Sequence, residues 1–146
     1  MPRIILNSLF FLILLITKQQ AFAQNDPLEH YWYNEGKSAK IHVYKAKDGK
    51  FYGKITWLKV PDRNGKPKMD EKNPNPKLRT EPIIGLMILK GFKKAGDGHY
   101  DGGTIYDPKN GKTYSCKMTL HNNELDVRGF IGVSMIGRTT TWTIAD

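Results

Sequence analysis

The residues best equipped for chemistry lie in the segment Asp70-Glu71-Lys72-Asn73-Pro74-Asn75-Pro76-Lys77-Leu78-Arg79. It offers a carboxylate, amides and a guanidinium on a loop that its prolines stiffen, so little further ordering is needed to present them. Asp70 and Asn73 are suited to accept from a sugar hydroxyl or to give Ca²⁺ two oxygens. Calcium takes six to eight, and the Asp-x-Asn-x-Asp-Gly spacing of an EF-hand is absent. The alternative role for both residues is turn chemistry, bonding their own backbone. Arg79 is either an anion fork or a clamp on carbonyls. Arg128 and Arg138 lie in strand-like segments, where an inward guanidinium would bind a carboxylate or phosphate or join a buried network. Trp57, Tyr106, Tyr114 and Trp142 are candidates for lining a sugar or lipid cavity, or for core. The ligand-binding set expected from these types is Asp70, Asn73, Arg79, Tyr106, Arg138 and Trp142.

Signatures of catalysis are sparse. Neither a G-x-S-x-G elbow nor an H-E-x-x-H zinc pair occurs. His30, His42, His99 and His121 are widely separated, so no metal site is predicted by spacing. Asp70, Asp101, Asp107 and Asp126 could supply a carboxylate pair for glycoside hydrolysis, as acids in most chains could. Cys116 is the single cysteine, which excludes an intramolecular disulfide, and it sits without an adjacent base, as expected of a buried structural thiol. No catalytic residue and no cofactor are expected.

The first twenty-three of the 146 residues suggest where the remainder works. Arg3 precedes the apolar run Ile4 to Ile16, and Ala21-Phe22-Ala23 forms an A-x-A cleavage site before Gln24. The run is too short to span a bilayer. Residues 1–23 are therefore expected to be a removed signal peptide and 24–146 one domain, periplasmic or secreted, with no integral membrane segment after cleavage. Lys plus Arg number 23 and Asp plus Glu 14 over the whole chain; the leader holds Arg3 and Lys18, leaving a charge of about +7 on the mature part. In an exported protein that surplus points away from nucleic acid and toward anionic envelope components.

The elements that must position these groups are short β-type runs separated by turns. Ala39 to Tyr44 and Phe51 to Leu58 flank an Asp48-Gly49 hairpin signal, with Phe51, Gly53, Ile55 and Trp57 expected on one face. Asp62 to Pro67 reads as a turn. Pro67, Pro74, Pro76 and Pro82 exclude regular helix or central strand between 62 and 82. Ile83 to Phe92 reads as a buried strand bent at Gly85 and Gly91. Tyr100 to Tyr106, Thr113 to Leu120, Glu124 to Phe130 and Arg138 to Ile144 follow, with Asn110-Gly111 and Asn122-Asn123 as turns. Seven to eight strands joined by hairpins imply an all-β, antiparallel up-and-down barrel, lipocalin-like, carrying a long Pro-rich loop. Trp32 and Arg138 are placed to close one end by a mutual contact.

The motifs Trp57-Leu58, Asp70-x-x-Asn73-Pro74, Leu78-Arg79 and Pro82-x-x-Gly85-Leu86 occur in order. They are followed by Gly102-Gly103-x-Ile105-Tyr106-Asp107-Pro108, Gly111-Lys112-x-Tyr114-Ser115, Val127-Arg128-Gly129 and Gly137-Arg138-Thr139-x-Thr141-Trp142. From about Trp32 to Ile144 the chain resembles the exported bacterial domain-of-unknown-function 2147 family. The resemblance implies an exported β-rich domain and no established activity. The function expected is a non-catalytic binding module for a small anionic or amphiphilic ligand. The alternatives are an envelope interaction protein with a filled core, or a hydrolase acting on an envelope component.

Overall fold

Ala39, Ile41 and Val43 are buried while Lys40, His42 and Tyr44 between them are half-buried, the period-2 pattern of a strand with one face on a core. The same alternation recurs along the chain in a computed structural model that describes residues 24–145. The expected signal peptide lies outside the described residues. The strands are β1 (Tyr31–Tyr33), β2 (Ala39–Lys45), β3 (Phe51–Leu58), β4 (Asp62–Arg63), β5 (Lys66–Pro67), β6 (Met87–Gly96), β7 (His99–Asp107), β8 (Lys112–His121), β9 (Glu124–Phe130) and β10 (Gly137–Ile144). A 3₁₀ turn spans Pro76–Leu78.

Eight of these strands form a closed antiparallel barrel in the order β1-β10-β9-β8-β7-β6-β3-β2, and β4 with β5 makes a separate two-stranded ribbon. Closure depends on β1, which pairs with β2 on one side and with β10 on the other, in the register Trp32↔Ile144 and Tyr33↔Thr143. This strand was not expected from sequence: three residues are too few to show a period. The hairpins fall where turn residues placed them, with Asn122 and Gly111 in the left-handed region at φ 53° and 72°. Gly111 meets a second constraint, since a Cβ there would stand 1.9 Å from the carbonyl oxygen of Lys72.

Strand β3 departs from its expected alternation. Lys40 pairs with Trp57 but Ile41 pairs with Ile55, so Thr56 is an extra residue on β3. This bulge reverses the facing beyond it. Ile55 is buried, whereas Trp57 is 39% exposed outside the barrel, edge-on to Tyr33 at 6.1 Å. The expectation that Trp57 shares the inner face with Phe51, Gly53 and Ile55 is thereby corrected.

One end of the barrel is plugged. Leu28 and Trp32 are fully buried, and the Trp32 indole N–H donates to the Leu28 carbonyl at 3.0 Å. Phe51 and Tyr100 pack edge to face at 5.1 Å, and the Tyr100 hydroxyl donates to Asp26, which Lys94 also holds at 2.8 Å. Burial would push the Asp26 carboxyl up, but the bonds from Lys94 and Tyr100 outweigh it and hold it below its ordinary value. The expected Trp32–Arg138 closure does not form. Trp32 pairs with Ile144, six residues or about 20 Å along β10 from Arg138. The other end carries the connections β1–β2, β3–β6, β7–β8 and β9–β10, and there the functional candidates lie.

Candidate functional site

The six residues expected to form one site divide into two groups. Asp70, Asn73, Arg79 and Tyr106 meet on the flank of the barrel. Asp70 is fully buried; its Oδ1 accepts from the Tyr106 hydroxyl at 2.7 Å and its Oδ2 from the Asn73 amide at 2.7 Å. Asn73 Oδ1 accepts from the Asn75 backbone N–H at 2.9 Å, and Arg79 Nε donates to the Asn73 carbonyl at 2.9 Å. Asn75 caps the 3₁₀ turn by accepting from Lys77 N–H. Burial, then the bond to Asp70, pushes the Tyr106 hydroxyl up to about 12. Both carboxylate oxygens of Asp70 are thus taken by donors from the protein itself, the arrangement that satisfies a buried charge. The geometry is a fastening of the Pro-rich segment to β7, with no oxygen of Asp70 facing solvent. Among the described residues, no group of three or more His, Cys, Asp or Glu is placed to hold a metal ion.

Arg138 and Trp142 belong to the second group, on the inner face of β10 with Thr140 between them. Trp142 is buried, and its indole N–H donates to Thr140 Oγ1 at 3.1 Å. Above it, at the barrel end, lies a half-open cavity of about 400 Å³ lined by Tyr114, Val127, Phe130, Ile131, Ile136 and Thr140, with Asp107, Asn110 and Arg138 among its polar groups. Arg138 is the sole cation in that lining; its side chain is 82% exposed and its Nη2 lies 3.6 Å from Glu35 Oε2. Asn110 donates to the Tyr114 hydroxyl at 2.9 Å, tying the β7–β8 turn to the rim. Gly129 is closely lined by its neighbours: a Cβ there would lie 3.4 Å from Ile105 and 3.7 Å from Tyr114, in ordinary contact.

Of the six expected residues only Arg138 lines the cavity; Trp142 lies below it on the same strand, and Asp70, Asn73, Arg79 and Tyr106 are not in the lining. Sequence reasoning raised Tyr114 as a cavity candidate but missed Val127, Phe130, Ile131 and Ile136. The available signal was Ile131-Gly132-Val133-Ser134-Met135-Ile136, an apolar run in a connection, where water contact would favour polar residues. Arg128 faces outward and clamps this connection. Its Nε donates to the Ser134 carbonyl at 2.7 Å, its Nη2 to the Met135 carbonyl at 3.3 Å and its Nη1 to Thr139 Oγ1 at 3.0 Å. Cys116 is buried in the core, and burial pushes its thiol up to about 12, the opposite of what a nucleophile needs.

An eight-stranded antiparallel barrel, plugged at one end and bearing a half-open cavity at the other, defines a lipocalin-like protein. The chain belongs to the DUF2147 family, described as "Uncharacterized protein conserved in bacteria", whose sequence model matches residues 30–144. It is also similar to a solved structure of protein HP1028 from Helicobacter pylori, described as belonging to the lipocalin family. The TM-score is 0.73 and the identity 27%, over 82% of this chain and 83% of the other. No curated protein matches the sequence.

Proposed function

We propose that the protein is a non-catalytic binding module that takes a small amphiphilic ligand with an anionic head at the open end of its barrel. The observation that carries this reading is the half-open cavity of about 400 Å³, its lining more apolar than polar and bearing Arg138 as its one cationic group. An apolar pocket with a few convergent polar groups is the usual form of a small-molecule site. The ligand's apolar part lies against Val127, Phe130, Ile131 and Ile136, and its carboxylate or phosphate meets the Arg138 fork. Asp70, Asn73, Arg79 and Tyr106 support the rim from outside and do not touch the ligand. Export is part of the same proposal: residues 1–23 direct the chain out of the cytoplasm, and N-terminal sequencing of the exported material should begin at Gln24.

Native mass spectrometry of protein purified from its own cell envelope tests the binding reading. A retained mass of lipid or fatty-acid size is expected in the wild type. Val127→Trp, which fills the cavity, should abolish it, and Arg138→Lys should weaken it by about 1.5–3 kcal/mol, the range for a bond to a charged group. Wild-type protein with no retained mass and no affinity for a fluorescent fatty-acid probe overturns the proposal.

A further inference from the structure

The β9–β10 connection, residues 131–136, presents Ile131 at 67%, Val133 at 58%, Met135 at 88% and Ile136 at 66% exposure. Single exposed hydrophobics are ordinary on protein surfaces, but a contiguous group marks a docking surface. The connection is also held in place. Ile131 N–H donates to the Ile136 carbonyl at 3.1 Å and Ile136 N–H to the Val133 carbonyl at 3.0 Å. Arg128 occupies the carbonyls of Ser134 and Met135 at 2.7 and 3.3 Å. The carbonyls from Val133 to Ile136 are thus satisfied internally, while Val133 and Met135 stand out from the loop and Ile131 and Ile136 sit at the cavity rim, all four largely exposed. Internal satisfaction of backbone polar groups is what an apolar medium demands of a segment that enters it.

The surroundings favour one kind of partner. The β1–β2 and β7–β8 connections and the start of β10, at the same barrel end, carry Lys37, Lys109, Lys112 and Arg138 against Glu35 and Asp107. A six-residue projection is too small for a stable protein interface, which needs about 800 Å² on each partner. A few apolar side chains ringed by cations suffice at a lipid surface. We propose that residues 131–136 are a membrane-inserting tip that docks the open end of the barrel onto a bilayer bearing anionic headgroups. The inference stands on the loop and its clamp, and does not require the cavity to hold anything.

The test uses the purified chain and vesicles of phosphatidylethanolamine with phosphatidylglycerol, compared with pure phosphatidylcholine. The wild type should float with the anionic vesicles, and less so as salt is raised above about 0.5 M, where charge attraction is screened. Val133→Asp with Met135→Asp should lower partitioning about tenfold or more while leaving the melting temperature and ligand retention in place. In Met135→Trp the emission should shift to the blue on vesicle addition, with quenching by brominated acyl chains that the wild type lacks. The proposal is overturned by a wild type that does not float, by double-variant partitioning equal to wild type, or by a Met135→Trp signal that brominated lipid leaves unchanged. It is also overturned by a wild-type dimer that Met135→Asp dissociates, because a second copy would then be what covers the loop.

Discussion

At the scale of single residues, the Asp70 carboxylate shows how a chemical-looking group becomes a structural one. It has no exposed surface and takes one hydrogen bond on each oxygen, from Tyr106 and Asn73. Tyr106→Phe removes one of these bonds and leaves a buried charge underpaired. Chemical denaturation should show a loss of about 1.5–3 kcal/mol, with ligand retention unchanged. A second prediction concerns alkali. The Cys116 thiol and Tyr106 hydroxyl are each pushed up to about 12 in the barrel, from ordinary values of 9.0 and 10.0. Both are neutral below their ordinary values in either state, so their contribution to stability is fully present there. As pH rises from about 9 to 12 the unfolded chain gives up these protons first, and that contribution is lost. Denaturation midpoints measured against pH should begin to fall near pH 9, and Cys116→Ala should move the onset toward 10.

At the scale of elements, strands β2, β3 and β9 were legible because two-residue alternation is a direct readout of one buried face, and turn residues mark the ends. The bulge at Thr56 was not legible, since an extra residue leaves no mark in composition, and it sent Trp57 to the outside. Ile55→Ala should therefore cost about 2–5 kcal/mol, the range for emptying a core position. Trp57→Ala, despite deleting a larger side chain, should cost under about 2 kcal/mol, because it removes outer-face contacts only. Urea titrations of the two variants check the order. The candidate site was legible only in small part: of the six expected residues, Arg138 alone lines the cavity. Arg138 and Trp142 share the inner face of β10 because they lie four residues apart on one strand. Arg79 and Asn73 were grouped with them on chemistry alone, and only the bond from Tyr106 to Asp70 shows that the Pro-rich segment is fastened on β7 instead. The cavity walls from Val127 to Ile136 escaped because half of them sit in a connection, where no period distinguishes a lining residue from a loop residue.

For the molecule as a whole, the barrel order makes the first strand and the last strand neighbours, joined by Trp32↔Ile144 and by a bond from Ala145 N–H to the Tyr31 carbonyl at 2.8 Å. Contacts this distant in sequence carry a large closure entropy and belong to the slow, β-rich end of the folding range, milliseconds to seconds. Stopped-flow refolding followed by the buried Trp32 and Trp142 should show its final phase in that window, and Trp32→Ala should accelerate unfolding. The circular closure has a further consequence for synthesis. A chain that lacks β10 does not merely lose one strand; it leaves β9 and β1 as two open edges, each able to pair with another molecule. Every nascent or truncated copy is therefore adhesive until its last eight strand residues arrive, and the cell must keep such chains apart until that moment.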